Sequence, residues 1–213
     1  MSTATIARTR KLGELATTVL RHAKKLPEGG IVSPKEFLHL GTRANVDQVL
    51  SRLARKGLLL RIGRGMYTVP LKSRFGIRPP SSRSVIEAIS HRTAESIVPI
   101  GASAATVLGL STQVPMQEIY LTSGPSRTIN LGSRRIKLRH APLWQVREGV
   151  AGTAIRALLS MGEVNAEESL CSLWPRLSAS EKKRLVASRG SGPSWLAAAI
   201  SKHVVSLEES TAA

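Results

Sequence analysis

Arg43, Asn45, Gln48, Arg52 and Arg55 recur at spacings that place them on the polar side of one helix. Amide side chains pair bidentately with adenine and arginines with guanine, so such a row could read base edges in a major groove. Lys35 adds a cation just upstream. Thr42 and Arg43 fall where the helix begins, and there free backbone N–H groups and the helix dipole favour a phosphate. Downstream, Arg61 and Arg64 sit on either side of Gly63, suited to phosphate contact or to entry into a minor groove. Asp47 is the only aspartate in 213 residues. Four positions after Arg43, it either excludes wrong bases or orients that arginine. The plainer reading of Asn45 and Gln48 is ordinary solvent-facing polarity.

Hydrophobic spacing predicts the elements that must hold these side chains. Val46, Val49, Leu50 and Leu53 fall at i, i+3, i+4 and i+7, so a helix over Arg43–Lys56 packs one stripe inward, capped by Thr42 and stopped by Gly57. Ser33-Pro34-Lys35-Glu36 opens a short helix before it, with a capping serine, proline at the first position and an acid at the capping-box position. After it, Leu58 to Ile62, the turn Gly63-Arg64-Gly65 and Met66 to Val69 read as a β-hairpin with a basic tip. Residues 6–25 read as a first helix, with Leu12, Leu15, Ala16, Val19, Leu20 and Ala23 on its apolar face, and Ile31-Val32 as a short strand. Helix, strand, helix, helix, hairpin is the order of a winged helix-turn-helix.

The expected fold class is therefore α+β: a winged-helix domain over residues 1–78, then a mixed α/β domain over 79–213 that ends in helices. Residues 70–82 read as the linker, because Pro79-Pro80 disfavours helix. Beyond it, Ser82 caps a helix from Arg83 to Ala94, strands follow at 97–100 and 118–122, and a small-residue helix lies between them. Residues 127–131 and 134–139 form a hairpin. Helices follow over 153–161, 166–173, 179–187 and 193–203, with a frayed tail after Val205. In the hairpin's second strand Arg135, Lys137 and Arg139 share one face and Ile136 and Leu138 the other. The basic face serves additional phosphate contacts, an acidic partner or simply solvent.

Charge supports a polyanionic partner. The net charge is +17, and it is uneven: residues 1–80 carry 16 Lys and Arg against 4 Asp and Glu, a net +12, whereas residues 81–213 carry 15 against 10, a net +5. Enzyme chemistry is poorly served. The glutamates are scattered, the five histidines are isolated, and no spacing suits a metal or a phosphate loop, so neither metal nor cofactor is expected. A single cysteine, Cys171, in an apolar helix without a nearby basic residue reads as buried filler, and its solitude fits a reducing cytoplasm. No stretch is long and apolar enough for a membrane span, and no membrane partner is expected.

The capped segment at Ser33, the helix Arg43–Lys56 and the run Gly57 to Tyr67, which ends Gly-Arg-Gly-Met-Tyr, together resemble the winged helix of the AbiEi antitoxin family. With the segment Ile97 to Leu110 and the basic strand after Gly132, the chain is more closely similar to the DUF6088 branch, over roughly residues 10–205. That resemblance implies an antitoxin of a bacterial type IV toxin–antitoxin system that represses its own operon, binding double-stranded DNA at inverted repeats in its promoter. The implied partner is a cognate nucleotidyltransferase-like toxin encoded nearby, neutralised by the second domain. Only the winged-helix residues carry over by motif; no short motif marks the neutralising ones. The alternative is a winged-helix protein-interaction module that binds no operator.

Overall fold

A computed structural model describes residues 3–74, 76–113 and 115–212, with side chains described from Gly13 to Glu209. Phe75, in the expected linker, and the side chain of Leu12 lie outside the described residues. The first helix, α1, spans Thr3–Lys25 and ends at the Pro27-Glu28-Gly29-Gly30 turn. Strand β1 (Ile31–Val32) follows, then a 3₁₀ turn (Pro34–Phe37) and helix α2 (Arg43–Arg55). Strands β2 (Leu60–Gly63) and β3 (Met66–Thr68) form the wing, and β1 pairs antiparallel with β3 to give the sheet order β1-β3-β2. This is the element order and strand order of a winged helix-turn-helix. Its core is Leu15, Val19 and Ala23 of α1, Val32, Phe37, the α2 stripe Val46, Val49, Leu50 and Leu53, and Leu59 and Tyr67. The predicted apolar stripe of α2 is the buried one.

Three local expectations give way. Residues 70–82 are not a bare linker: Leu71–Ser73 (β4) and Gly76–Arg78 (β5) pair antiparallel, closed by Ser73 Oγ donating to the Gly76 carbonyl at 3.0 Å. Three-residue strands with exposed side chains leave almost no periodic signal. Helix α3 (Ser82–Thr93) is capped by Ser81, not Ser82; Ser81 Oγ accepts the Ser84 N–H at 3.1 Å while Ser82 is buried inside the first turn. At the other end, α8 runs Ser194–Ala212, past the expected fraying point at Val205, because no glycine or proline interrupts it.

By contacts the chain divides into two compact units, residues 1–95 with 128–136, and residues 96–127 with 137–213. The first unit thus extends beyond Pro79-Pro80 to include α3. Glu28 accepts the Ser81 N–H at 2.9 Å. Arg92 of α3 donates to the Ile31 carbonyl at 3.1 Å and to Ser33 Oγ at 2.6 Å, and pairs with Glu36 at 2.7 Å. Glu36 in turn accepts the Ser33 N–H at 3.0 Å, completing the capping arrangement foreseen for that turn. Arg134 donates to the Pro80 carbonyl and to Ser82 Oγ.

The remaining elements are β6 (Ile97–Pro99), α4 (Gly101–Val107), β7 (Glu118–Thr122), β8 (Arg127–Leu131), β9 (Arg134–His140), α5 (Gly149–Met161), α6 (Ala166–Leu173) and α7 (Ala179–Ser188) before α8. The four strands form a sheet ordered β6-β7-β9-β8. The helical core of the second unit gathers Ala154, Ile155, Leu158, Leu170, Leu173, Leu185, Leu196 and Ile200 from α5 to α8. Small residues on α4 and α5 let those helices approach closely, with Ala104, Ala105 and Ala157 buried together. Among the described residues, no helix is long and apolar enough to cross a membrane.

Candidate nucleic-acid interface

The first turn of α2 is built by Thr42. Its backbone is extended (φ −64°, ψ 153°), and its side-chain oxygen accepts the Asn45 N–H at 3.4 Å. That holds one of the free N–H groups of the helix start and leaves the others pointing toward the polar end. With Val46, Val49, Leu50 and Leu53 in the core, helical spacing turns Arg43, Gln48, Arg52 and Arg55 outward, and all four are exposed. Asn45 is half-buried beside Gly41. Arg43 Nε lies 2.9 Å from Asp47 Oδ2, the i, i+4 pair expected if Asp47 orients this arginine. Both partners are substantially exposed, so the pair contributes little stability and leaves the guanidinium's other N–H groups available.

The wing is a two-residue turn, Arg64-Gly65, between the paired Gly63 and Met66. Gly65 has φ +65°, a left-handed conformation that a side chain resists, and this places Arg64 at the tip. A register shift between Arg61 and Gly63 bends β2 there. Ile62 is fully buried, whereas Arg61 and Arg64 are exposed. Lys35, in the 3₁₀ turn, is exposed as well. Within the first unit the structure therefore presents Lys35, Thr42, Arg43, Gln48, Arg52, Arg61 and Arg64 on elements that share one core, with Asn45 set lower. No acidic side chain other than Asp47 lies on α2.

Residues 18–184 match a family described as a family of unknown function, DUF6088. The chain belongs to DUF6088. The matched span includes all of α2, the wing and the strands and helices through most of α7. No curated protein matches the chain.

In the DUF6088 chain's β9, the alternation anticipated from sequence is present: Arg135, Lys137 and Arg139 are exposed, and Ile136 and Leu138 are buried. Arg135 belongs to the first unit, Lys137 and Arg139 to the second. Lys137 Nζ donates to Gln117 Oε1 at 3.0 Å. Cys171 departs from expectation. It is exposed rather than buried, and its Sγ lies 3.9 Å from His203 Nδ1, which α8 supplies from 32 positions away. His203 stands edge-on to Trp174 at 5.0 Å, and burial lowers its pKa, so it is neutral near pH 7 and gives the thiol no cationic neighbour. No group of three or more His, Cys, Asp or Glu suited to a metal occurs among the described residues. Sequence reasoning missed Arg156 of α5, which is 3% exposed. An arginine in a small-residue helix carries no motif that distinguishes it from a surface cation.

Proposed function

We propose that this chain is a DNA-binding transcriptional regulator that represses its own operon, and that it is the antitoxin of a type IV system of the AbiEi kind, acting in the bacterial cytoplasm without catalysis of its own. The observation that carries the DNA reading is the amphipathic division of α2. Its apolar stripe is consumed by the winged-helix core, while Arg43, Gln48, Arg52 and Arg55 face outward, and Arg64 at the wing tip is exposed as well. A row of cations and amides with so little acidic compensation suits a groove flanked by phosphates. The antitoxin part rests on the resemblance to the AbiEi winged helix and on the basic strand β9, whose Lys137 and Arg139 could meet an acidic toxin surface. Gel-shift titration with the gene's own upstream DNA tests the first part. Co-expression with a nucleotidyltransferase-like gene beside it tests the second.

Base readout makes a sharper demand. Replacing Gln48 or Asn45 by Ala should weaken binding to the specific site by about 1–3 kcal/mol and leave random DNA almost unaffected. Gln48, the more exposed of the two, should show the larger loss. Equal losses on both DNAs would remove these amides from sequence reading.

Wing contact makes a different demand, on salt dependence. Arg64→Ala should weaken binding to all sequences and flatten the slope of log K against log salt by roughly one unit. If the slope is unchanged, the wing is free of phosphate and the protein-interaction reading gains.

A further inference from the structure

Arg156 sits in the middle of α5 with its guanidinium in the protein interior. Nη1 donates to the carbonyls of Gln145 at 3.0 Å and Arg147 at 2.7 Å, and Nη2 donates to Thr153 Oγ1 at 3.1 Å. These bonds tie the segment before α5 to the helix. They do not neutralise the charge, since no carboxylate is among the partners, and Nε is buried with no acceptor. Burial lowers the pKa to about 10, which still leaves the group cationic at neutral pH. A buried cation without a counter-charge and with an unused N–H is costly, and proteins meet that cost by pairing.

Arg156 also lines a cavity of about 230 Å³ within the second unit. Its polar lining is completed by Arg139, Gln145 and Ser160, and Ile100, Leu121 and Leu159 supply apolar wall. Among the described residues, no acidic one lines it. Two arginines, one buried and one exposed, thus line one cavity that also has an apolar side, the composition of a site for a small ligand with a charged end.

We propose that this cavity binds a small organic anion, its carboxylate or phosphate head held by Arg156 and Arg139 and its apolar body lying against Ile100, Leu121 and Leu159. The site is independent of the DNA reading: every lining residue lies in the second unit. It also assigns Arg139 a ligand-facing role distinct from the phosphate contacts considered for β9.

The test is titration of the full-length, ¹⁵N-labelled protein with benzoate and with phenyl phosphate, following the arginine Nε–H signals, with neutral benzamide as control. At least one anion should shift the Arg156 signal saturably while benzamide does not; which one binds identifies the head group. Arg139→Gln should weaken that binding roughly tenfold or more. Leu159→Trp should abolish it by filling the cavity, and Arg43→Gln should leave it unchanged. The proposal is overturned if neither anion gives a saturable shift, or if benzamide binds as well as the anions. It is equally overturned if Arg43→Gln weakens binding as much as Arg139→Gln, since the anion would then follow general surface charge.

Discussion

Gly29→Ala should destabilise the first unit by about 3–4 kcal/mol, seen as a large fall in the urea midpoint of the full-length protein. Gly29 has φ +78°, and a left-handed alanine costs on the order of 1–2 kcal/mol by itself. The larger share comes from space. A Cβ at Gly29 would lie 2.6 Å from the Ser84 carbonyl carbon and 2.7 Å from the Val85 nitrogen, both backbone atoms of α3 that no rotamer change can move. Relief requires the helix to shift away from the turn after α1. That would strain the Glu28 bond to the Ser81 N–H and the contacts of Arg92 with Ile31, Ser33 and Glu36. Gly57 is the control. Its φ is +69°, but a Cβ there meets nothing within 4 Å, so Gly57→Ala should cost only about 1 kcal/mol. If the two variants fall equally, the loss is backbone strain alone and α3 is not wedged against the turn.

That contrast also marks where the sequence was legible. Residues whose role is set by their near neighbours could be read: the cap of Thr42 on α2, the buried stripe from Val46 to Leu53, the Arg43–Asp47 pair, a hairpin with a basic tip at Arg64 and the alternation of β9 all depend on spacings of a few positions. The wing turn itself is Arg64-Gly65, and Gly63, read as part of it, is paired in the strand. DUF6088 membership was legible for the same reason, through local runs. What could not be read depends on partners distant in the chain. The Gly29 turn looks like any helix stop until α3 lies against it, and Arg92 looks like a solvated cation until it reaches Ile31 and Ser33, 61 and 59 positions away. Cys171 acquires its histidine from 32 positions away. Arg156 has partners within 11 positions, but its burial follows from how α5 packs among α4, α6 and α7, and periodicity in a helix of small residues does not reveal it. The outward placement of Arg43, Gln48, Arg52 and Arg55 could be read because exposed polar residues on an amphipathic helix need only the helix itself. The cavity could not, because Arg139 and Arg156 come from separate elements.

Substitutions in the intact chain should separate the proposed operator binding from the proposed toxin neutralisation. Fragments are a poor instrument for this. Cutting after residue 78 removes Ser81, Ser84 and Arg92 from the unit that holds α2, and cutting after 95 still removes residues 128–136, which belong to it. Arg43→Ala with Arg64→Ala removes one cation from the start of α2 and one from the wing, both exposed and neither part of the core, so folding should be retained. The loss of a base-edge or phosphate contact at each site should weaken promoter binding by about 3 kcal/mol or more, roughly a hundredfold. If the proposed neutralisation belongs to the second unit, the same double variant should still rescue cells that express the proposed nucleotidyltransferase-like toxin. The converse variant, Lys137→Glu with Arg139→Glu, reverses charge on the exposed face of β9 in the second unit and leaves Ile136 and Leu138 buried. Like charge set against an acidic partner disfavours docking, so rescue should fail. Promoter binding should drop far less than in the α2–wing variant, even with some loss from long-range charge. Should the α2–wing variant lose rescue together with DNA binding while remaining folded, the winged helix itself would contact the toxin, and the proposed assignment of the two activities to different units would fail.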